Sequence, residues 1–417
     1  MEIFAARFVL PVAAPVVEDG AVAVQDGRIV AAGPVAGVRE AAGADATTYD
    51  LGSVAILPGL VNAHTHLELA WAVDAELPRG DYVKWVEALV ERREAGEPPG
   101  ARKAAEGALD ALARRGTVAL GDVANGVFTA GLLARSPLHA VVFHEIYDLG
   151  ADRGEATLFA AARRLDEIAA DPHVAQARDR IRVALAPHSP HTTSAALLRA
   201  LAGRSGATSD PLSIHVAESA EEVAFLRDGS GPLGALLRAR GAYGDDWAPP
   251  GRTPIEHLRR LGVLSPRTLV VHCVYLDRSD HRTLQSSGAT VVTCPRSNLA
   301  LGVGRAPISE LLREGVPVAL GTDSLASVPD LDLFAEMATL RTEHPRLSAA
   351  TVLRMATLNG ARALGLGDRL GSIEAGKIAA LVVVPLDPGD DPLTAVCAVP
   401  PVIYGLRDAA RVLAGAP

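Results

Sequence analysis

Two hydrophobic rhythms divide the chain. From residue 54 to residue 365, compact apolar runs alternate with stretches whose apolar positions recur every three or four residues. The runs at 54–62, 117–123, 140–146, 181–186, 212–216, 268–273, 289–293 and 317–321 are nearly continuous. Continuous apolar strands are covered on both faces, as in a parallel sheet, and the helical stretches between them supply the crossovers. Helices are predicted over 101–115, stopping at Gly116, over 155–170, over 195–202 after Thr193-Ser194, and over 348–364, between Ser348 and Gly365. Eight strands alternating with helices predict an α/β fold, a (β/α)8 barrel of the TIM type, over 54–365.

The two ends of the chain read differently. Residues 21–33 form two β runs about Asp26-Gly27, a hairpin signal. Residues 371–377 are turn-rich, and 378–384 are a further β-like run. These segments predict a small β-sandwich domain built from both termini, 1–53 plus 366–417. The stretch 387–417 lacks a clear closing strand.

Composition narrows the functional classes. The chain has 417 residues, a net charge of −9 and mixed charge signs without a basic block, which argues against nucleic acid as a partner. No apolar run reaches transmembrane length, and the N-terminus lacks a basic, then apolar, leader pattern. A soluble, cytoplasmic protein that makes no membrane contact is expected; a homodimer is left open. Cys273, Cys294 and Cys397 form neither a Cys-x-x-Cys pair nor a disulfide framework.

The chemistry-bearing residues collect where the predicted strands end. These ends carry His64 and His66, Asp122 and Asn125, His144 and Glu145, His188 and His191, His215 and Glu218, His272, Asn298, and Asp323 and Ser324. In a (β/α)8 barrel this is the catalytic face. His64 and His66 lie two apart and share a side of an extended chain. With His215 and Asp323 they make an N3O donor set for one divalent ion, whose water becomes acidic enough to supply hydroxide near neutral pH. Asp323 could take the water's proton, Glu218 could carry a proton to the substrate, and His272 could hydrogen-bond the attacking oxygen. Glu68, two residues past His66, could reach a ligand through its carboxylate. Trp85, beside Trp71 and Tyr82, could stack on a base or pack under a lid. Glu145 and Ser324 are further candidate substrate contacts.

Taken together, these motifs resemble the amidohydrolase superfamily. Pro58-Gly59-Leu60-Val61-Asn62-Ala63-His64-Thr65-His66 is similar to its strand-one signature, and His215-Val216-Ala217-Glu218, Val271-His272-Cys273 and Gly321-Thr322-Asp323-Ser324 to its later ones. Cys294-Pro295-Arg296-Ser297-Asn298 is similar to a strand-seven motif of the aminohydrolase branch, whose members deaminate or dechlorinate heterocycles. The resemblance implies His64, His66, His215 and Asp323 as metal ligands, and Glu218, His272 and Asp323 as proton-handling residues. It implies one divalent ion, zinc first and iron(II) as the alternative. Binuclear members often use a carboxylated lysine after strand four. Here no lysine lies between Lys103 and Lys377.

The expected reaction is hydrolytic deamination of a heterocycle. Pro187-His188-Ser189-Pro190-His191 resembles the strand-four motif of adenosine-type deaminases, in which the first His, here His188, meets the nucleoside. The stretches 66–69, 82–86, 225–229 and 249–251 are most similar to the aminofutalosine deaminases. That implies 6-amino-6-deoxyfutalosine, an intermediate of menaquinone synthesis, as substrate. Its benzoate needs a cation, for which Arg79, Arg93, Arg296 and Arg305 are candidates. The alternatives are adenosine, methylthioadenosine or S-adenosylhomocysteine, or another heterocycle such as guanine, a pterin or a chlorinated triazine.

Overall fold

The computed structural model describes residues 1–126, 128–150, 154–244 and 247–415. The chain packs as two compact units, Met1–Asn62 with Asp110–Ala119 and Asp332–Pro417, and Ala63–Leu109 with Leu120–Leu331.

The first unit holds a seven-stranded sheet made from both chain ends. Its strands are β1 (Glu2–Val9), β2 (Val17–Gln25), β3 (Arg28–Pro34), β4 (Thr47–Asp50) and β5 (Val54–Pro58), with two from the far end. Alternation decides its faces. Phe4, Val22, Val24 and Ile56 bury one face against Leu406, Ala409 and Ala410 of the helix Leu406–Ala414. Ile3, Ala5, Ala21 and Ala23 bury the other against Val38 of the helix Val35–Ala42. The expected hairpin is present, with Asp26 at φ 51° and Gly27 at φ 73°, a turn whose twist suits antiparallel strands.

Eight parallel strands form two four-stranded sheets. One is β6 (Leu60–Thr65), β7 (Thr117–Ala124), β8 (His139–Ile146) and β9 (Ile181–Pro187); the other is β10 (Leu212–Val216), β11 (Thr268–His272), β12 (Thr290–Thr293) and β13 (Val318–Leu320). Their order in each sheet follows the sequence, as crossover helices require. β6, β10, β11, β12 and β13 are buried along their whole length. The run predicted as one strand over 54–62 is two: the chain leaves the terminal sheet after Pro58 and enters the parallel one at Leu60. Gly59 marks the passage, because a Cβ there would lie 2.2 Å from the Val118 side chain.

Beyond these come β14 (Leu381–Pro385), antiparallel to β5, and β15 (Tyr404–Gly405), a two-residue closing strand too short to stand out in the sequence. The helix predicted over 348–364 contains a π turn, Met355–Asn359, between Ala349–Arg354 and Gly360–Ala363. No helix among the described residues is long and apolar enough to cross a membrane.

Candidate active site

The second unit contains every residue of the site. His64 lies one residue before the end of β6, and the chain turns at His66 into the 3-10 segment Leu67–Asp74, held there by Leu67 N–H donating to Asp122 Oδ1 at 2.8 Å. His66 Nε2 lies 3.2 Å from His64 Nε2 and 3.3 Å from His215 Nε2. Asp323 Oδ1 lies 3.8 Å from His64 Nε2 and 3.7 Å from His66 Nε2. All four side chains are buried.

His215 Nδ1 sits 2.9 Å from the His188 carbonyl, which can only accept, so the proton is on Nδ1 and Nε2 turns a bare lone pair to the cluster. Burial, with neighbouring imidazoles adding, holds His64 well below the usual histidine range. Burial brings His66 down to about 3, against the opposing pull of Asp323. At these distances each pair of uncharged imidazole nitrogens can be bridged either by a shared proton or by a cation. Tetrahedral bonds of ~2.1 Å to one ion would set the donors ~3.4 Å apart. His64, His66 and Asp323 offer donor atoms close enough together for one divalent ion, with His215 Nε2 beside them at 3.3 Å from His66.

Two groups flank this cluster. His272 ends β11 with Nδ1 at 3.0 Å from Asn298 Oδ1, and its Nε2 lies 3.6 Å from Glu218 Oε1. Burial alone would lower the His272 pKa; the carboxylates of Glu218 and Asp323, with the Asn298 contact, outweigh it and raise it. Glu218 is anchored through its backbone: Glu222, fully buried, accepts from Ala217 N–H and Glu218 N–H at 3.0 and 2.9 Å. Asp323 Oδ2 accepts from Ser297 Oγ at 2.6 Å. Burial would raise the Asp323 carboxyl; His272, His66 and Ser297 outweigh it and hold it below the usual range.

These groups close one end of a cavity of about 840 Å3. His66, Trp85, Glu145, His188, His215, Glu218, His272, Asp323 and Ser324 line it; His64 stands behind, fully buried. The buried Ser324 hydroxyl has no hydrogen-bond partner among the described residues. His188 is held by Thr192 Oγ1 at 2.7 Å from its Nδ1. Trp85 donates its indole N–H to the Ala326 carbonyl at 3.1 Å while lining the cavity.

Glu68 is placed differently from the expectation of a ligand contact. It does not line the cavity. Its carboxylate accepts from Arg93 Nη2 at 2.9 Å and from the N–H groups of Asn125 and Gly126 at 3.0 and 2.7 Å. Arg93, also bonded to Asn125 Oδ1, is the cavity residue that Glu68 holds. Of the four arginines considered for a substrate carboxylate, Arg93 lines the cavity. Arg79, Arg296 and Arg305 do not, and Arg296 pairs with Asp330 at 2.6 Å.

Sequence reasoning gave Glu222 no part in the site, offered Tyr82 only as a stacking candidate beside Trp85, and read Ser297 and Asn298 only at the end of strand seven. Ser219-x-x-Glu222, a capping pattern at the start of the helix Ala220–Asp228, was the available signal for Glu222.

Residues 55–412 match the Amidohydrolase family. The chain belongs to that family. The resemblance read from its motifs is thereby borne out, as is its being an enzyme. A 5-methylthioadenosine/S-adenosylhomocysteine deaminase from Syntrophobacter fumaroxidans is 36% identical over 389 residues, covering 88% of this chain and 80% of that one. An aminodeoxyfutalosine deaminase from Deinococcus radiodurans is 35% identical over 326 residues, covering 74% and 73%. The structure of an adenosine deaminase from Xanthomonas campestris with bound zinc is similar with a TM-score of 0.78 at 30% identity, covering 97% of this chain and 89% of that one.

Proposed function

We propose that this amidohydrolase is a cytoplasmic hydrolytic deaminase of an adenine nucleoside. The observation that carries this is the convergence of three imidazoles and a carboxylate beside Glu218 and His272 at one end of a deep cavity. His64, His66, His215 and Asp323 would hold the metal, zinc in first place. When bound, the ion supplies Lewis acidity that makes a water nucleophilic near neutral pH. An Asp323 carboxylate oxygen would accept a proton from the attacking water, and His272 Nε2 would hydrogen-bond the attacking oxygen. Glu218 Oε1 delivers a proton to the ring nitrogen as the C–O bond forms. Asp323 returns the water's first proton to the amino nitrogen as the C–NH2 bond breaks and ammonia leaves, and the remaining hydroxyl proton passes back to Glu218 as the C=O forms. In this reading β6 to β13, Leu60–Leu320, form the catalytic barrel, and the hydrogen bonds from His215 N–H to His188 O and from Asp323 N–H to His64 O support closure of its two sheets. The chain ends form the small β domain.

The cavity supports a nucleoside larger than adenosine. Beyond the polar end its wall is Val86, Leu89 and Val90 on one side and Leu233, Leu236 and Leu237 on another, with Arg93 and Ser324 among the polar groups. Ser324 and His188 offer contacts for the base and ribose, and Glu145 for a hydroxyl; burial raises its carboxyl. 6-Amino-6-deoxyfutalosine suits this space, its aryl group on the apolar wall and its carboxylate toward Arg93. A second reading, 5′-methylthioadenosine or S-adenosylhomocysteine, is favoured by the relative at 36% identity.

The test is kcat/KM on these three, on adenosine and on 5′-deoxyadenosine, with wild type and Arg93→Gln. Aminodeoxyfutalosine should be preferred by tenfold or more, and Arg93→Gln should remove most of that preference while sparing 5′-deoxyadenosine. A tenfold preference for another nucleoside overturns the substrate but leaves the deaminase.

A further inference from the structure

The Tyr82 hydroxyl donates to Glu218 Oε2 at 3.0 Å. Both side chains are buried and both line the cavity. We infer that Tyr82 is a positioning residue: it holds one carboxylate oxygen of Glu218 so that the other, Oε1 beside His272, is the one that carries the proton to the ring. The inference rests on the deaminase reading above.

Three observations support it. The first is complementarity. Glu222 fixes the backbone of Glu218, which leaves the side-chain torsions free, and Tyr82 is the donor that fixes the far end. A carboxylate held at one oxygen presents the other in a defined direction, as a positioned proton carrier requires.

The second is that Tyr82 is itself held rigidly. Its ring packs with Leu301 and Val303, with Val274, Trp85 and Val86 against them. The chain just before it runs against Gly302, where a Cβ would come within 2.8 Å of Gly80 Cα, and Gly80 N–H donates to the Ala300 carbonyl. Asp81 caps the helix Tyr82–Glu94 by accepting from Lys84 N–H at 3.2 Å. A donor built on such a support loses little freedom when it binds.

The third is protonation. Burial, with Glu218, Glu222 and Asp323 nearby, pushes the Tyr82 phenol well above its usual range. The hydroxyl therefore stays a donor, keeps its own proton through turnover, and needs no co-reactant.

Tyr82→Phe keeps the ring in its apolar cluster and removes only the donor. Its kcat should fall roughly 10- to 100-fold, the scale of a positioned charge-assisted hydrogen bond, with KM within about twofold of wild type. Metal content and melting temperature should be unchanged. In a Glu218→Gln background the same substitution should cost nothing further, because Tyr82 acts through that carboxylate. A Tyr82→Phe enzyme with more than half the wild-type kcat, a loss confined to KM, or a loss that multiplies with that of Glu218→Gln overturns the inference. If Glu218→Gln alone keeps wild-type activity, the failure lies in the deaminase reading's proton carrier, and the inference falls with it.

Discussion

Asp323, Ala217, His272 and Cys273 all have positive φ, at 62°, 52°, 72° and 51°, although none is glycine. Such conformations cost about 1–3 kcal/mol each and persist only where the surroundings over-determine them. Asn298 bonded to His272, Ser297 bonded to Asp323 and Glu222 bonded to the Ala217 N–H supply that constraint. The strain gives Asp323→Asn a clean interpretation, since asparagine tolerates positive φ and keeps one carbonyl oxygen for Ser297. The substitution removes charge and basicity and leaves the backbone. Turnover should fall roughly 10³-fold or more with little change in the melting temperature. Retention of a tenth of the wild-type rate would show that Asp323 takes no water proton. The histidines and acids were legible at this scale because each ends an apolar run. Their supports were not: Tyr82 and Glu218 stand 136 positions apart, and nothing local in either segment points to the other.

At the scale of elements, the sequence gives strand existence more readily than strand membership. A buried run covered on both faces looks the same in either sheet, so the transfer at Gly59 was invisible to periodicity. Similarly, the helical pattern over 348–364 does not announce the π turn, where the i→i+5 hydrogen bonds leave the consecutive residues Met355, Ala356, Thr357 and Leu358 all buried. What brings His64 and Asp323 together is the meeting of β6 with the end of β13, where Thr322 N–H and Asp323 N–H both donate to the His64 carbonyl at 3.0 and 3.1 Å. Gly321 allows this approach: a Cβ there would lie 2.8 Å from His64 Cβ and 2.9 Å from its carbonyl oxygen. Gly321→Ala must displace His64 or the turn carrying Asp323. We expect metal content per chain to drop with activity, and stability to fall by about 1–3 kcal/mol, the range for overpacking. Thermal melts and metal analysis measure both. Full metal occupancy with wild-type kcat would mean that the two strand ends give way without affecting the ligands.

For the whole molecule, the decisive fact is that His64 and Asp323, proposed ligands separated by most of the chain, meet in one buried cluster. That convergence was legible because the β/α alternation places strand ends on a common face; the cavity's apolar wall was not, since it comes from helices outside that alternation. An ion binding the folded site and not the unfolded chain stabilises the fold by mass action, so chelation should abolish activity and lower the melting temperature together. The metal-free protein then becomes acid-sensitive, and the sign follows from His66. Burial takes its pKa from 6.5 in the open chain to about 3 in the fold. As pH falls through 6.5 the unfolded chain gains a proton that the folded one refuses until about 3, so stability present above 6.5 is lost progressively in between. Melts of chelated protein at pH 7.5, 6, 5 and 4 should show that descent, and His66→Asn should flatten part of it. A melting temperature constant from 7.5 to 4 in both proteins would mean that the buried imidazole does not couple protonation to folding.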